Sequence, residues 1–139
     1  MRRALAVSAI SALLAACVMG VAPTPTANPL NHAPPVVSID GVDGSPISWC
    51  VSATSCADGS PEDASAVIAD PATLALPAEA TDAHVAVGCN LACATDLAEA
   101  DVALAGTRIG PLPAGTWEYL TVTVRLGQGG TASSAWRLR

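Results

Sequence analysis

Thr116–Leu126 reads TWEYLTVTVRL and decides the fold, because it alternates branched apolar residues with polar and aromatic ones. Leu120 and Val122 fall on one face of an extended strand, whereas Tyr119, Thr121 and Thr123 fall on the other. The loop GQG at 127–129 follows, with a glycine available for the left-handed position that such a turn requires. The segment therefore predicts a strand, a tight turn and a returning final strand.

A loop of three residues fixes how these two strands pair. The expected pairs are Leu126 with Gly130, Val124 with Ala132, Val122 with Ser134, and Leu120 with Trp136. Trp136 and Leu138 then point into the core. A four-residue loop would turn Arg137 inward instead, at the cost of burying an unpaired charge.

The same register brings aromatic and basic side chains together on the outer face. Tyr119 comes to lie opposite Arg137 and Trp117 opposite Arg139, with Arg125 further along the strand. Aromatic rings beside guanidinium donors can stack on sugar rings, so these residues form a candidate ligand-binding face. Cross-strand packing and cation–π contact, worth about 0.5 to 1 kcal/mol per pair, would explain the same arrangement without a ligand.

The rest of the domain consists of short strand-like segments separated by turn-forming residues. These segments are VVSI at 36–39, ISWCV at 47–51, AVI at 66–68, TLAL at 73–76 and HVAVGC at 84–89. Thr95–Ala105 favours a helical turn followed by a strand, and the tetrapeptide DGSP, at 43–46 and 58–61, indicates two loop turns. Several short strands at this spacing predict an all-β sandwich or barrel.

The composition gives this domain a thin core. The hydrophobic fraction is 51%, but much of it is alanine, and the chain has three Trp, one Tyr and no Phe. A domain of roughly 100 residues with so few large side chains needs further bracing. Disulfide bonds, which typically contribute about 2 to 4 kcal/mol each, would supply it.

The first residues have the pattern of an export leader. Arg2 and Arg3 precede an apolar run, Ala4–Ala16, which is too short to span a membrane and is followed by Cys17. The tetrapeptide LAAC at 14–17 resembles the lipobox of bacterial lipoproteins, in which the cysteine is joined to lipid and becomes the new N-terminus. An ordinary cleaved signal peptide is the alternative. Lipidation would leave four of the five cysteines, an even number, for disulfides.

The chain is therefore expected to have three parts. Residues 1–16 form the signal peptide, 17–35 the lipidated cysteine with a Pro-rich tether, and 36–139 the β-domain. Without the leader, four arginines and no lysine stand against twelve acids, a formal net charge of −8. This charge argues against nucleic acid as a partner, because phosphate neutralisation needs clustered basic residues.

The chain resembles the uncharacterised secreted lipoproteins of bacteria that carry one immunoglobulin-like sandwich. The resemblance rests on the lipobox, the tether, the cysteine-containing loop Ser48–Pro61 and the ending Leu112–Arg139, which by itself is about a quarter of the domain. It implies a small antiparallel β-sandwich but no particular function, because such sandwiches host many unrelated roles. Antibody-type domains bridge their sheets with two distant cysteines, a pattern that this chain does not share.

The four cysteines of the domain fall into two close pairs, Cys50 with Cys56 and Cys89 with Cys93. Sequence proximity favours a disulfide within each pair, and crossed pairs that join the two loops are the open alternative. A zinc site that includes His84 fits less well, since structural zinc favours Cys-x2-Cys spacing and a compartment that keeps thiols reduced.

Motifs for catalysis and metal binding are missing from the sequence. His84 is the one histidine of the domain, and neither Gly-x-Ser-x-Gly nor His-Glu-x-x-His occurs. The acids Asp58, Glu62 and Asp63 match no calcium-loop spacing. We therefore expect no catalytic residue, no cofactor and no metal.

Three hypotheses follow for the function. The first is a structural or adhesion module, held outside the cytoplasm at a bacterial cell membrane by its lipid and contacting envelope protein or glycan. The second is binding of cell-wall glycan through Trp117 and Tyr119, which requires an exposed Trp117 indole. The third is an enzyme, which requires His84 and an acid to meet a Ser or Thr in one cleft.

Replacement of the lipid-bearing thiol tests the predicted anchor. In the full chain expressed in a bacterial host, Cys17→Ser should abolish incorporation of labelled palmitate, because the thioether to diacylglycerol is the first step of acylation. Lipid labelling measures the effect, and Cys56→Ser is the matched control that should keep the label. Label retained by the Cys17→Ser chain would contradict the prediction.

Overall fold

The described part of the chain is almost entirely β-structure. The computed structural model describes residues 33–52, 54–89 and 99–139. Its twelve strands are β1 (Ser38–Ile39), β2 (Val42–Asp43), β3 (Ser45–Ser52), β4 (Ser55–Asp58), β5 (Val67–Ile68), β6 (Leu74–Ala75), β7 (Ala80–Gly88), β8 (Glu99–Val102), β9 (Leu104–Ala105), β10 (Arg108–Ile109), β11 (Tyr119–Leu126) and β12 (Thr131–Leu138). A 3₁₀ turn occupies Pro61–Asp63. Within the same ranges no helix is long and apolar enough to cross a membrane.

The larger sheet has the β11–β12 hairpin at its centre. Its strands lie in the order β4, β3, β12, β11, β7 and β8, each antiparallel to its neighbours, and β5 adds a short parallel pairing at the end of β12. β11 and β12 each have partner strands on both sides. Their backbone N–H and C=O groups are therefore used along the ladders, as burial of a central strand requires.

A second layer covers one face of this sheet. It consists of β2, β1 and β6 in that order and of the β9–β10 hairpin. A bridge between Thr73 and Arg108 joins the two pieces. Next to it, the Leu74 N–H donates to the Thr107 carbonyl at 2.8 Å. Buried side chains from both layers form one cluster, so the domain is a β-sandwich.

Trp136 is the largest fully buried side chain among the described residues, and it connects the two layers. Its indole N–H donates to the Val42 carbonyl of the second layer at 3.0 Å. Gly44 lies against the ring, where a Cβ would come within 2.5 Å of the indole. The hydrogen bond satisfies the buried N–H, and the missing side chain of Gly44 provides the space for the ring.

The predicted hairpin register is confirmed. Val124 pairs with Ala132, Val122 with Ser134, Leu120 with Trp136, and Tyr119 with Arg137. The Leu126 N–H donates to the Gly130 carbonyl at 2.8 Å, and Gly129 takes a positive φ of 82°. The predicted class, a small antiparallel all-β sandwich braced by a disulfide, is confirmed as well.

The prediction that Trp117 extends the outer face of the hairpin is wrong. β11 begins only at Tyr119, and Trp117 is half-buried and packs against the core. Its indole N–H donates to the Pro113 carbonyl at 2.8 Å. Since Trp117 precedes the strand, the period-2 alternation that held from Tyr119 onward does not govern where its side chain lies.

Of the two loop turns predicted at the DGSP tetrapeptides, one is absent and the other is present. At 43–46 no loop forms, because only Gly44 separates β2 from β3, whereas at 58–61 the chain does turn from β4 into the 3₁₀ turn. Residues 99–105 form β8 and β9, which confirms the strand expected in that segment. The helical turn expected at 95–98 lies outside the described residues.

The disulfide between Cys50 and Cys56 is confirmed, and it joins residues that lie directly opposite each other on β3 and β4. Crossed pairs between the two cysteine loops are excluded by this bond. Cys89 is disulfide-bonded too, while its expected partner Cys93 lies outside the described residues, as does Cys17. β4 is an edge strand, so the bond holds it to the sheet covalently.

Truncation of the central indole tests how far the sandwich depends on it. Trp136→Ala should lower the free energy of unfolding by about 3 to 5 kcal/mol, because it opens a large cavity. Trp136→Phe keeps a ring but leaves the Val42 carbonyl without its donor, and should cost about 1 to 3 kcal/mol. Urea unfolding measures both, and a loss below about 1 kcal/mol for the alanine variant would contradict the assigned role.

Candidate functional site

The predicted ligand-binding face does not form a single site. Tyr119 and Arg125 stand near opposite ends of β11, about 20 Å apart at the rise of an extended strand. Arg125 lies opposite Thr131 on one side and Asp82 on the other, at the turn end of the hairpin. It is therefore separated from the other residues of the predicted set.

Arg137 is engaged by the protein's own backbone. Its Nε donates to the Ala64 carbonyl at 3.2 Å, and its Nη2 donates to the Glu62 carbonyl. Its backbone N–H also donates to the Ala66 carbonyl at 2.7 Å. These bonds hold the 3₁₀ turn and the residues after it against β12, so Arg137 has a structural role.

The ring of Tyr119 covers Gly88, where any Cβ would collide with it. Burial raises the pKa of the Tyr119 phenol above its usual value of 10.0, and the nearby carboxylates of Glu62, Glu99 and Glu118 raise it further. The hollow beside the ring has a volume of only about 80 Å³. That volume is well below the size of ordinary ligand pockets.

An open cleft of about 760 Å³ lies beside the loop that precedes β11. Trp117, Arg137 and Arg139 line it, together with Asp70 and Glu118. We call it the Trp117 cleft. It brings together three of the five predicted ligand residues, and it places two carboxylates and two guanidinium groups around one aromatic side chain.

A second open cleft, of about 740 Å³, lies at the turn end of the hairpin, and we call it the Trp49 cleft. Pro35, Trp49, Glu79 and Leu126 are among its lining residues. Sequence reasoning missed it because its walls come from four separate segments. The signal in the sequence is the alternation of ISWCV, which turns Trp49 to the face opposite Cys50.

His84 pairs with an acid, but on the outer face of the larger sheet. Its Nε2 lies 3.0 Å from an oxygen of Asp101, and the two side chains are 59% and 84% exposed. Thr123 is the cross-strand partner of His84 and shares a hydrogen bond of 2.8 Å with Ser133. Neither His84 nor Asp101 lines the Trp117 cleft or the Trp49 cleft.

Among the described residues, the Trp117 cleft and the Trp49 cleft are two open volumes large enough to hold a ligand. Within the described ranges, no group of three or more His, Cys, Asp or Glu side chains is placed to hold a metal ion. In the same ranges each buried polar side-chain atom has a hydrogen-bond partner. No family model matches the chain, and no curated protein or solved structure matches it.

The raised pKa of Tyr119 predicts a loss of stability at alkaline pH. A folded-state pKa above the unfolded value contributes stability that is fully present below pH 10.0 and is lost as pH rises through the folded pKa. The free energy of unfolding in urea should therefore fall above about pH 10 in the native chain and fall less in Tyr119→Phe. Equal alkaline losses in the two chains would contradict the assignment. The comparison isolates the Tyr119 phenol, because the chain has one tyrosine and no lysine.

Proposed function

We propose that the chain is an extracytoplasmic lipoprotein, anchored to a bacterial cell membrane through Cys17, whose β-sandwich is a non-catalytic interaction module. The leader, the lipobox and the Pro-rich tether support the location. The disulfide between Cys50 and Cys56 suits an oxidising compartment. The tether would hold the module away from the lipid surface, where it meets protein or glycan of the envelope.

The observation that carries the non-catalytic proposal is the position of His84. General acid–base catalysis needs its proton-transferring group beside a bound substrate, in a site that orients it. His84 and Asp101 instead stand exposed on the face of a sheet, while the open clefts lie elsewhere. Each cleft has an aromatic ring and at least one charged side chain in its wall, which is a combination that suits ligand binding.

A second candidate function, binding of cell-wall glycan, is favoured by the Trp117 cleft. An aromatic side chain beside guanidinium and carboxylate groups can pack against the apolar face of a sugar while the charged groups bond its hydroxyls. Trp117, Arg139 and Asp70 provide this combination. The candidate site is thus the cleft and no longer the outer face of the hairpin, since Trp117 is half-buried and Arg125 lies at the far end.

Two arginine variants separate the candidate functions. In the full chain, Arg139→Gln should reduce retention on insoluble cell-wall glycan of the producing cell by about tenfold, because a hydrogen bond to a charged group contributes about 1.5 to 3 kcal/mol. Arg125→Gln, at the other end of β11, is the matched control. Co-sedimentation measures retention, and Trp117→Ala is avoided because that side chain packs on the core.

The outcomes discriminate clearly between the two functions. A selective loss in Arg139→Gln supports glycan binding in the Trp117 cleft. Equal retention of the native chain and both variants contradicts it. Crosslinking to envelope proteins that neither variant disturbs would then favour the structural or adhesion module.

A further inference from the structure

The Trp49 cleft is a preformed hollow. The Gly127 N–H donates to the Glu79 carbonyl at 3.0 Å, which ties the hairpin turn to the start of β7. Gly130 packs so closely on the carbonyl of Cys50 that a Cβ there would collide with it. Because β3 is itself joined to β4 by the disulfide, the walls that carry Trp49 and Leu126 are held in place before any ligand arrives. Such preorganisation lowers the cost of binding.

The walls of this cleft are mainly apolar. Trp49 and Leu126 pack on the core and are only partly buried, so their remaining surface faces the cleft together with Pro35. The volume of about 740 Å³ lies in the range of small-molecule sites, which are mostly apolar with few polar groups. A small organic ligand with an apolar body is the occupant that fits these walls.

The charge at the cleft is negative. Glu79 is the only ionisable side chain among the described residues that line it, since Cys50 is bonded in a disulfide. Glu79 is exposed to solvent. The indole of Trp49 adds the electron-rich face that attracts a cation, an interaction worth about 0.5 to 2 kcal/mol.

We propose that the Trp49 cleft binds a small organic cation, a quaternary or alkyl ammonium whose charge lies near Glu79 and Trp49. Its apolar part packs against Leu126 and Pro35. The net charge of −8 that follows removal of the leader attracts cations over a longer range and disfavours anions. This site is separate from the Trp117 cleft, so it does not depend on whether that cleft binds glycan.

Choline and its uncharged carbon isostere, 3,3-dimethylbutan-1-ol, form a matched pair of probes. The full chain, kept in non-ionic detergent with ¹⁵N-labelled tryptophan, is titrated with each while the three indole N–H resonances are followed. Choline should shift the Trp49 resonance in a saturable way and leave Trp136 unmoved. The neutral isostere should bind at least tenfold more weakly, because it lacks the charge.

Glu79→Gln and Glu99→Gln supply the second comparison. Both glutamates are exposed, but Glu99 lies on edge strand β8, away from the cleft. Glu79→Gln should weaken choline binding by about three- to tenfold, and Glu99→Gln should leave it unchanged. An unmoved Trp136 resonance shows that each variant is folded.

Three results would overturn the proposal. The first is the absence of a saturable shift at Trp49, and the second is a shift confined to Trp117. The third is equal affinity for choline and its neutral isostere together with no effect of Glu79→Gln, which would make the cleft an apolar surface without selectivity for charge.

Discussion

The burial of one indole between two thin layers is the interaction on which the rest of this sandwich depends. Trp136 supplies the largest buried side chain, and its hydrogen bond to the Val42 carbonyl joins the larger sheet to the second layer. Gly44 provides the space. Most other buried residues are valine, alanine or serine, so no other fully buried side chain among the described residues fills the same volume. A chain this poor in large apolar groups concentrates its packing at one point.

The two open clefts also result from the scarcity of large apolar side chains. With few large side chains, the two layers meet closely around Trp136, while the ends of the sandwich are closed only in part by Trp49 and Trp117. Each of these rings packs on the core with one side and lines an open volume with the other. The scarcity that makes the core thin therefore also leaves aromatic surface accessible at both ends.

Sequence reasoning succeeded where local constraints act and failed where distant segments meet. The alternation from Tyr119 to Leu126 and the glycines after it determine the hairpin register, and short spacing determines the Cys50–Cys56 bond. The predicted position of Trp117 was wrong because β11 begins two residues after it. The Trp49 cleft could not be predicted because the segments that line it are far apart in the sequence. Charge and motif content argue only against certain functions, and the grouping of Trp117 with Asp70 could not be predicted without the fold.

The pairing of β12 has a consequence for the order of folding. This single strand contacts β11 beside it in sequence, but also β3 and β5, which precede it by more than half of the domain. Local attraction can form the hairpin early, whereas docking of β3 must wait for a long loop to close. Until that closure, Trp136 has no second layer to enter and Arg137 has no carbonyls to bind. The sandwich is therefore expected to assemble late and in one cooperative step, with β12 as the strand to which β11, β3 and β5 all pair.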